Sequence, residues 1–589
     1  MNMKKYKLLI LTFFIFGLSF GAVSYEKQSQ QEEDSLEQSL VLDNESFTLI
    51  IGEELVLKSN IDSITSSNRT YEWKTDNSEV VSIFPETDYS VRIEAKMTGT
   101  ANVSLASTDG IQVSVYTITV KDMPAEFVED GIIRILAIGN SFSSDGVESY
   151  LYELAKEEGI PIVIGNLIIG ASSLDMHWQN ASGNIPAYEY WKRDQNGSIS
   201  RTPETSIEAG LADEQWDYIS FQQVSRNSGQ YETYVTPLPL LLNYVKSKAT
   251  HPYVKYIQHQ TWAYAQNTTH EGFANYNNDQ ITMYNAIVDA TGRAKNLVGL
   301  DILIPVGTAI QNGRTSVIGD KYTRDGYHLD VNIGRYTAAC TWFEAISGKS
   351  VIGNTYKPFT LSEYHAEIAQ NAAHNATLKP SEITEMVDYK GDGPDALTDE
   401  VFISFGSETV TSGWNGFMGS SSYTKGKFIL NLKDKNDVFT GASIEIVEGF
   451  NSRNDTGEKG TITDFNMSDD LSSYSYFGNS KLDFSEKLIE KSVLKLSGLD
   501  NSKTYDLCFF GSKSSAVLGE NGETKYTSKG KNEIAVLLDA ANNKSNTVCA
   551  NGIQPDDNGD ILITINAGEN NNNVYGFYCI NAMRITLSN

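Results

Sequence analysis

The sequence predicts a multidomain protein: a central three-layer α/β domain built on a parallel sheet, with a β-sandwich on either side. Over 131–358 short apolar runs alternate with amphipathic helical stretches, the pattern of a sheet covered on both faces. Before residue 122 and after residue 401 the chain consists of short alternating runs separated by polar turns, the pattern of sandwiches. A length of 589 residues leaves ample chain for several separate cores.

Residues 1–24 have the layout of an export signal. Lys4, Lys5 and Lys7 precede an apolar stretch over 8–20, and Ala22-Val23-Ser24 forms a small-residue site with cleavage expected before Tyr25. The stretch is short for a membrane span, and no later segment reaches the roughly 18 apolar residues that one needs. The expected mature protein is therefore exported, with no membrane insertion after cleavage. No cysteine follows the stretch, so anchorage through a lipidated N-terminal cysteine is not indicated. Residues 25–38, rich in Gln, Glu and Ser, read as a linker.

Between 39 and 122 the runs 47–51, 54–57, 71–73, 80–83, 101–105 and 113–120 predict a small sandwich. In the next domain, expected over 131–378, strands are predicted at 132–138, 161–169, 216–221, 254–258 and 301–306, with helices at 147–158 and 334–347. Residues 379–400, with Pro380, Gly391, Gly393 and Pro394, read as a second linker. From 401 to 589 the runs 402–405, 428–432, 443–447, 493–496, 505–510, 534–538 and 561–565 fit a jelly-roll or galactose-binding-like sandwich. Tyr474 and Tyr476 are expected at its surface, where they could stack on sugar rings.

Composition excludes several function classes. With 46 Lys+Arg against 75 Asp+Glu the net charge is −29, which argues against nucleic acid or an anionic membrane as partner. Four cysteines are too few for a disulfide scaffold, although one bridge among Cys508, Cys549 and Cys579 remains open. Neither they nor the seven histidines have the spacing of a metal site, so no metal and no cofactor is expected. The run Asp556 to Asp560 lacks the closing Glu of a calcium loop and reads as a β-turn.

The chemistry lies in two segments. Gly139-Asn140-Ser141-Phe142 directly follows the strand at 132–138, putting Ser141 on a strand-to-helix turn. Asp325-Gly326-Tyr327-His328 lies near the end of the same domain. A serine hydroxyl needs a base to take its proton, and a histidine base needs a group that fixes its tautomer; Asp325 can do this within one loop. Gly-x-Ser-x-Gly is absent, so the serine is not on an α/β-hydrolase elbow.

These segments resemble the SGNH hydrolases, or GDSL-type esterases, and within them an exported bacterial subgroup of uncharacterised function associated with carbohydrates. The first block, normally Gly-Asp-Ser, is matched by Gly139-Asn140-Ser141; the second by Gly170, in a loop after a strand; the last, Asp-x-x-His, by Asp325 and His328. The third departs, with Phe221-Gln222-Gln223 where the family has Gly-x-Asn-Asp. The resemblance implies a Ser141, His328, Asp325 triad and an oxyanion hole from the Ser141 and Gly170 N–H groups. Gln223 or Gln222, with Asn227 behind them, is expected to supply the third donor. His177, Trp178, His259 and Trp262 are candidates for the pocket wall, whereas Asp145 and Asp330 need no role beyond helix capping and solvation.

Segment 39–122 resembles bacterial immunoglobulin-like group 2 domains, which implies a spacer. The last domain resembles sandwich modules that accompany bacterial polysaccharide-degrading enzymes, which implies sugar binding. Together these resemblances imply an exported esterase, periplasmic, cell-surface or extracellular, that removes acyl groups, acetyl foremost, from a carbohydrate. A broad arylesterase or lipase-like hydrolase and a catalytically silent glycan-binding or adhesion protein remain the alternatives.

Overall fold

The structure, a computed structural model, describes residues 7–8, 43–59, 70–87, 89–108, 112–121, 130–391, 393–419 and 421–588. The expected export signal and first linker lie outside these residues, apart from Lys7 and Leu8, which pair in parallel with Leu55 and Val56. No helix of the described residues is long and apolar enough to cross a membrane. The chain is a multidomain mixed α/β protein with several β-sheets.

In the first region Asp43–Ile50, Gln112–Lys121, Gly99–Ser107 and Tyr71–Thr75 form one sheet, and Glu54–Lys58, Ser90–Ala95 and Val81–Thr87 belong to a second. Period-two alternation turns Trp73, Val103 and Ile118 of one sheet against Leu57, Val91 and Ile93 of the other, in a core of their own.

The central sheet has seven strands: β1 (Ile133–Gly139), β2 (Ile162–Ile168), β3 (Tyr188–Arg193), β4 (Ile199–Thr205), β5 (Tyr218–Phe221), β6 (Lys255–His259) and β7 (Ile302–Ile304), in the order β4-β3-β2-β1-β5-β6-β7. Strands β2, β1, β5, β6 and β7 are parallel, as expected. The sheet is not wholly parallel, however, because β3 and β4 extend its edge as an antiparallel hairpin. Their residues alternate without a continuous apolar run, and β4 is exposed along all but its last residue, so they lack the signature of a buried strand.

Helices α1 (Ser141–Val147), α2 (Leu151–Glu157), α3 (Leu174–Ser182), α4 (Ile207–Asp213), α5 (Pro237–Lys248), α6 (Gln280–Val298), α7 (Val306–Arg314), α8 (Ile333–Ser347) and α9 (Glu363–Leu378) cover both faces. Ile135 and Ala137 of β1 pack with Leu154, Ile310, Trp342 and Ile368 on one side. Leu136 and Ile138 pack with Leu174, Leu211 and Leu241 on the other. The single helix expected over 147–158 is instead broken between α1 and α2. Tyr150 lies there at φ 65°, a left-handed conformation costly for a non-glycine residue. Its hydroxyl donates to the Val331 carbonyl at 2.8 Å, and its ring packs on Tyr336 and Tyr356.

In the last region Trp414–Phe417, Val401–Phe405, Ala582–Leu587, Tyr505–Phe510 and Val548–Ile553 form one sheet. Phe428–Ile429, Ser443–Glu448, Lys491–Ser497, Ile561–Ala567, Glu523–Lys529 and Glu533–Asp539 form the other. Ile403, Phe405, Leu507 and Ile585 meet Ile446, Leu494, Tyr526 and Ile563 in their shared core. Tyr476 belongs to that core, fully buried, because strand Ser475–Phe484 turns it inward, so it is not a surface platform for sugars. Tyr474 is half-buried under the Arg453 guanidinium, 4.1 Å from its ring centre. Asp556 caps a tight turn, its Oδ1 accepting from the Asn558 and Asp560 N–H groups at 2.9 Å each.

Cys508 and Cys549, on neighbouring antiparallel strands, form a disulfide, while Cys340 and Cys579 are free and buried. The bridge closes a sequence separation of 41 residues. Replacing both its cysteines by alanine should lower the stability of the last region by about 2–4 kcal/mol. The expected readout is faster hydrogen exchange in 505–510 and 548–553, and unchanged protection there would contradict it.

Candidate functional site

The site forms where β1 lies between β2 and β5, so that loops from three adjacent parallel strands leave at the same edge of the sheet. Asn140, in extended conformation, ends β1 and caps α1; its Oδ1 accepts from the Phe142 N–H at 2.9 Å. Ser141 is thereby the first residue of the helix, half-buried, with its backbone N–H donated to no acceptor among the described residues.

His328 approaches from the loop before α8. Its Nε2 lies 2.9 Å from the Ser141 Oγ, and its Nδ1 lies 2.7 Å from the Asp325 Oδ2. The other Asp325 oxygen accepts from the His328 N–H at 2.8 Å and from the Tyr327 N–H at 3.2 Å, closing the loop on itself. Gly326 makes that closure feasible: its φ is +91°, and an added Cβ would lie 2.6 Å from the Thr268 Oγ1. Burial by itself would raise the Asp325 pKa, but the hydrogen bonds from the His328 ring, the His328 amide and the Tyr327 amide outweigh it and hold the carboxyl below its ordinary value. It remains ionised at neutral pH. Aromatic rings surround the imidazole: Tyr327 at 4.2 Å and Phe142 at 5.8 Å between ring centres, with His270 a further 4.7 Å beyond Tyr327.

Gly170 follows β2 on an exposed loop. Its N–H, like that of Ser141, is unbonded among the described residues, and open space surrounds its Cα. The two glutamines do not offer a donor to this space. Gln222 is 1% exposed; its Nε2 donates to the Asn140 Oδ1 at 2.8 Å and its Oε1 faces the His259 Nδ1 at 2.8 Å. Gln223 is equally buried, its Nε2 donating to Thr233 and its Oε1 accepting from the Leu174 and Val224 N–H groups. Burial behind the first strand commits both amides to structural partners. Asn227 is half-buried on the same loop, and its side-chain amide has no partner among the described residues.

Three of the four residues considered for the pocket wall are interior. His177 is fully buried between the Ser172 Oγ at 3.1 Å and the Tyr188 Oη at 2.8 Å. Trp262 is fully buried, stacked on Phe142 at 4.3 Å and donating to the Tyr327 carbonyl at 2.7 Å. His259 is 1% exposed and meets Trp342 edge to face. Burial pushes both His177 and His259 down to about 3, so they stay neutral. Trp178 is half-buried against the core on the α3 side.

Asp145, read in the sequence as a solvated helix residue, is buried to 1% and joins the two halves of the site. It takes the Arg324 Nη1 at 3.0 Å, the Arg335 Nε at 2.8 Å and the Leu329 N–H at 2.9 Å. Asp330, two residues before the α8 N-cap, accepts at its Oδ1 from the Asn332 and Ile333 N–H groups that open the helix, although burial raises its carboxyl pKa. Tyr327 also escaped the sequence reading, although an aromatic residue between Asp325 and His328 is well placed to shield the imidazole.

The sequence profile of the family described as Domain of unknown function (DUF4886) matches residues 134–376. A solved DUF4886 family protein from Bacteroides uniformis is 52% identical over 44% of this chain and 100% of its own, with a TM-score of 0.44. The chain belongs to the DUF4886 family. It is also similar to a putative SGNH hydrolase from Slackia heliotrinireducens, with 20% identity over 36% of this chain and 99% of that one and a TM-score of 0.26. A carbohydrate acetylesterase from Xanthomonas citri is 10% identical over 53% of this chain and 75% of its own, with a TM-score of 0.23. No curated protein matches the chain.

Replacing Asp145 by alanine would leave two arginines facing a buried site without their carboxylate. A loss of about 3–5 kcal/mol in stability is expected, with faster proteolysis in 324–330. A variant as stable as the parent would contradict this reading of the contact.

Proposed function

We propose that the protein is a serine esterase in which Ser141 is the nucleophile, His328 the general base and Asp325 its orienting carboxylate. One observation carries the reading: a single imidazole lies within hydrogen-bonding distance of a helix-leading serine hydroxyl on one side and of a carboxylate on the other. An ionised Asp325 accepts from Nδ1–H, which leaves the Nε2 lone pair for the Ser141 proton. Attack forms a bond from the Ser141 Oγ to the acyl carbon while the proton moves to Nε2. The resulting imidazolium then protonates the departing alcohol oxygen as the C–O bond breaks, leaving an acyl-serine. Water, deprotonated by the same nitrogen, attacks that ester, and the proton returns to Ser141 as the carboxylic acid leaves.

The oxyanion of each tetrahedral intermediate needs donors fixed beforehand. The unbonded N–H groups of Ser141 and Gly170 are assigned to it. Asn227, whose side-chain amide is uncommitted, takes the third place in preference to either glutamine. No step needs a cofactor. Acylated carbohydrate, with acetyl as the acyl group transferred to Ser141, is taken as the substrate class on the resemblance to the carbohydrate-associated SGNH subgroup. We divide the chain into an export signal (1–24), a linker (25–38), an immunoglobulin-like spacer (39–122), the hydrolase domain (131–378), a second linker (379–400) and a β-sandwich accessory domain (401–589).

The test compares hydrolysis of p-nitrophenyl acetate and p-nitrophenyl octanoate by the protein lacking residues 1–24 and by its Ser141→Ala variant. Acetate turnover should exceed octanoate turnover and vanish in the variant; equal rates in the two proteins would remove Ser141 as nucleophile and favour the glycan-binding alternative. Asp325→Asn should fold normally and lose about ten-thousand-fold in kcat, because the wrong tautomer is then held. Asn227→Ala should lose about a hundredfold in kcat with KM little changed, and full activity would remove it from the oxyanion hole.

A further inference from the structure

Beneath Ser141 lies a hydrogen-bonded chain of buried groups whose direction is fixed at its ends. The Phe142 N–H can only donate, and it donates to the Asn140 Oδ1 at 2.9 Å; the Ser172 carbonyl can only accept, and it accepts from the Asn140 Nδ2 at 2.9 Å. With Asn140 so oriented, the Gln222 atom 2.8 Å from its Oδ1 must be the nitrogen. The Gln222 oxygen then faces the His259 Nδ1 at 2.8 Å, so His259 carries its proton on Nδ1. Its Nε2 is left as a bare acceptor, with no partner among the described residues; the Trp342 Nε1–H, a donor only, is likewise unpartnered. Gly146 separates the two: a Cβ placed there would lie 3.5 Å from the His259 Nε2 and 3.4 Å from the Trp342 Nε1.

Asn140, Gln222 and His259 are each 1% exposed, so a broken link is not repaired by bulk water. The chain also joins two departures from the SGNH blocks, Asn in place of Asp at 140 and Gln in the third block at 222. An aspartate at 140 could still accept from Phe142 and Gln222 but could not donate to Ser172, which belongs to the Gly170 loop.

We propose that Gln222 and His259 are positioning residues: His259, as its Nδ1–H tautomer, fixes Gln222, which fixes Asn140 and so holds the Ser141 and Gly170 loops in the register that catalysis needs. Neither touches the reacting atoms. The proposal rests on the esterase reading for its kinetic consequence, but not for the tautomer.

The experiment has two arms. In the first, His259→Phe and Gln222→Met are expected to lower kcat for p-nitrophenyl acetate by about a hundredfold with KM within about twofold. The double variant should be no slower than the slower single one. His259→Asn, whose side-chain N–H can replace Nδ1–H, should restore most of the rate. A fall in melting temperature without the kcat loss, additive losses in the double variant, or equal loss in His259→Asn and His259→Phe would overturn the proposal. In the second arm, nitrogen NMR of 15N-histidine-labelled protein at pH 7, with the His259 signal assigned by its absence from His259→Phe, should show Nδ1 protonated and Nε2 bare. The opposite tautomer overturns the proposal whether or not the protein hydrolyses esters. Absence of any esterase activity in the parent, with the tautomer as stated, would instead sink the function and leave the positioning chain as the anchor of the two loops.

Discussion

The site exists because one buried carboxylate ties the end of the central domain to its beginning. Ser141 and His328 are separated by 187 positions in the chain, and the histidine sits on a loop closed by its own Asp325 and by the Arg324 N–H donating to the His328 carbonyl at 2.9 Å. Asp145, four residues after Ser141 on the same short helix, reaches Arg324, Leu329 and Arg335, which bracket that loop on both sides. A carboxylate is costly to bury alone, but here each oxygen is met by charged or backbone donors, so its removal harms the fold more than the pair's net contribution would indicate. The consequence is geometric. Rotation of α1 moves the serine and the anchor of the histidine loop together, so their 2.9 Å contact survives small motions of either element.

Parallel pairing supplies the rest of the convergence. With β2 on one side of β1 and β5 on the other, the loops carrying Ser141, Gly170 and Gln222 emerge side by side at the switch point of the sheet. What distinguishes them is burial. Gly170 stands in open space with its N–H free, whereas Gln222 lies behind Asn140 with both ends of its amide engaged. A residue type with suitable chemistry in the right loop is therefore insufficient for an oxyanion donor; it must also be left without a partner.

That distinction explains how far the sequence could be read. The strand before Ser141, the positions of the parallel strands and the Asp325–His328 spacing follow from short-range rules: an apolar run, a turn residue, two side chains within one loop. Gln222, His177 and Trp262 have functional groups that look available in a sequence and are committed in three dimensions to Asn140, Tyr188 and Tyr327, as the His259 Nδ1 is to Gln222, partners 11 to 82 positions away in the chain. Asp145 fails in the opposite sense, since a lone aspartate on a helix reads as solvated until Arg324 and Arg335 are seen to converge on it. The β3–β4 hairpin was missed because its exposure removes the apolar run that marks a strand, and the break at Tyr150 because its cause is a hydroxyl bond to Val331.

The last region bears on the same loop. Lys427 donates to the Arg324 carbonyl at 2.8 Å, one residue before Asp325, and Lys321, three residues earlier on the same side of the loop, reaches the Ser443 Oγ at 3.1 Å. Burial lowers the Lys321 pKa. Leu430 packs into the core of the central region, adding apolar contact to these polar ones. Arg324 is thus held twice, its guanidinium by Asp145 from within and its carbonyl by Lys427 from the sandwich. A sandwich serving only as a tethered sugar-binding module would need neither contact. Its seating against 321–324 makes it part of the scaffold of the loop that carries Asp325 and His328.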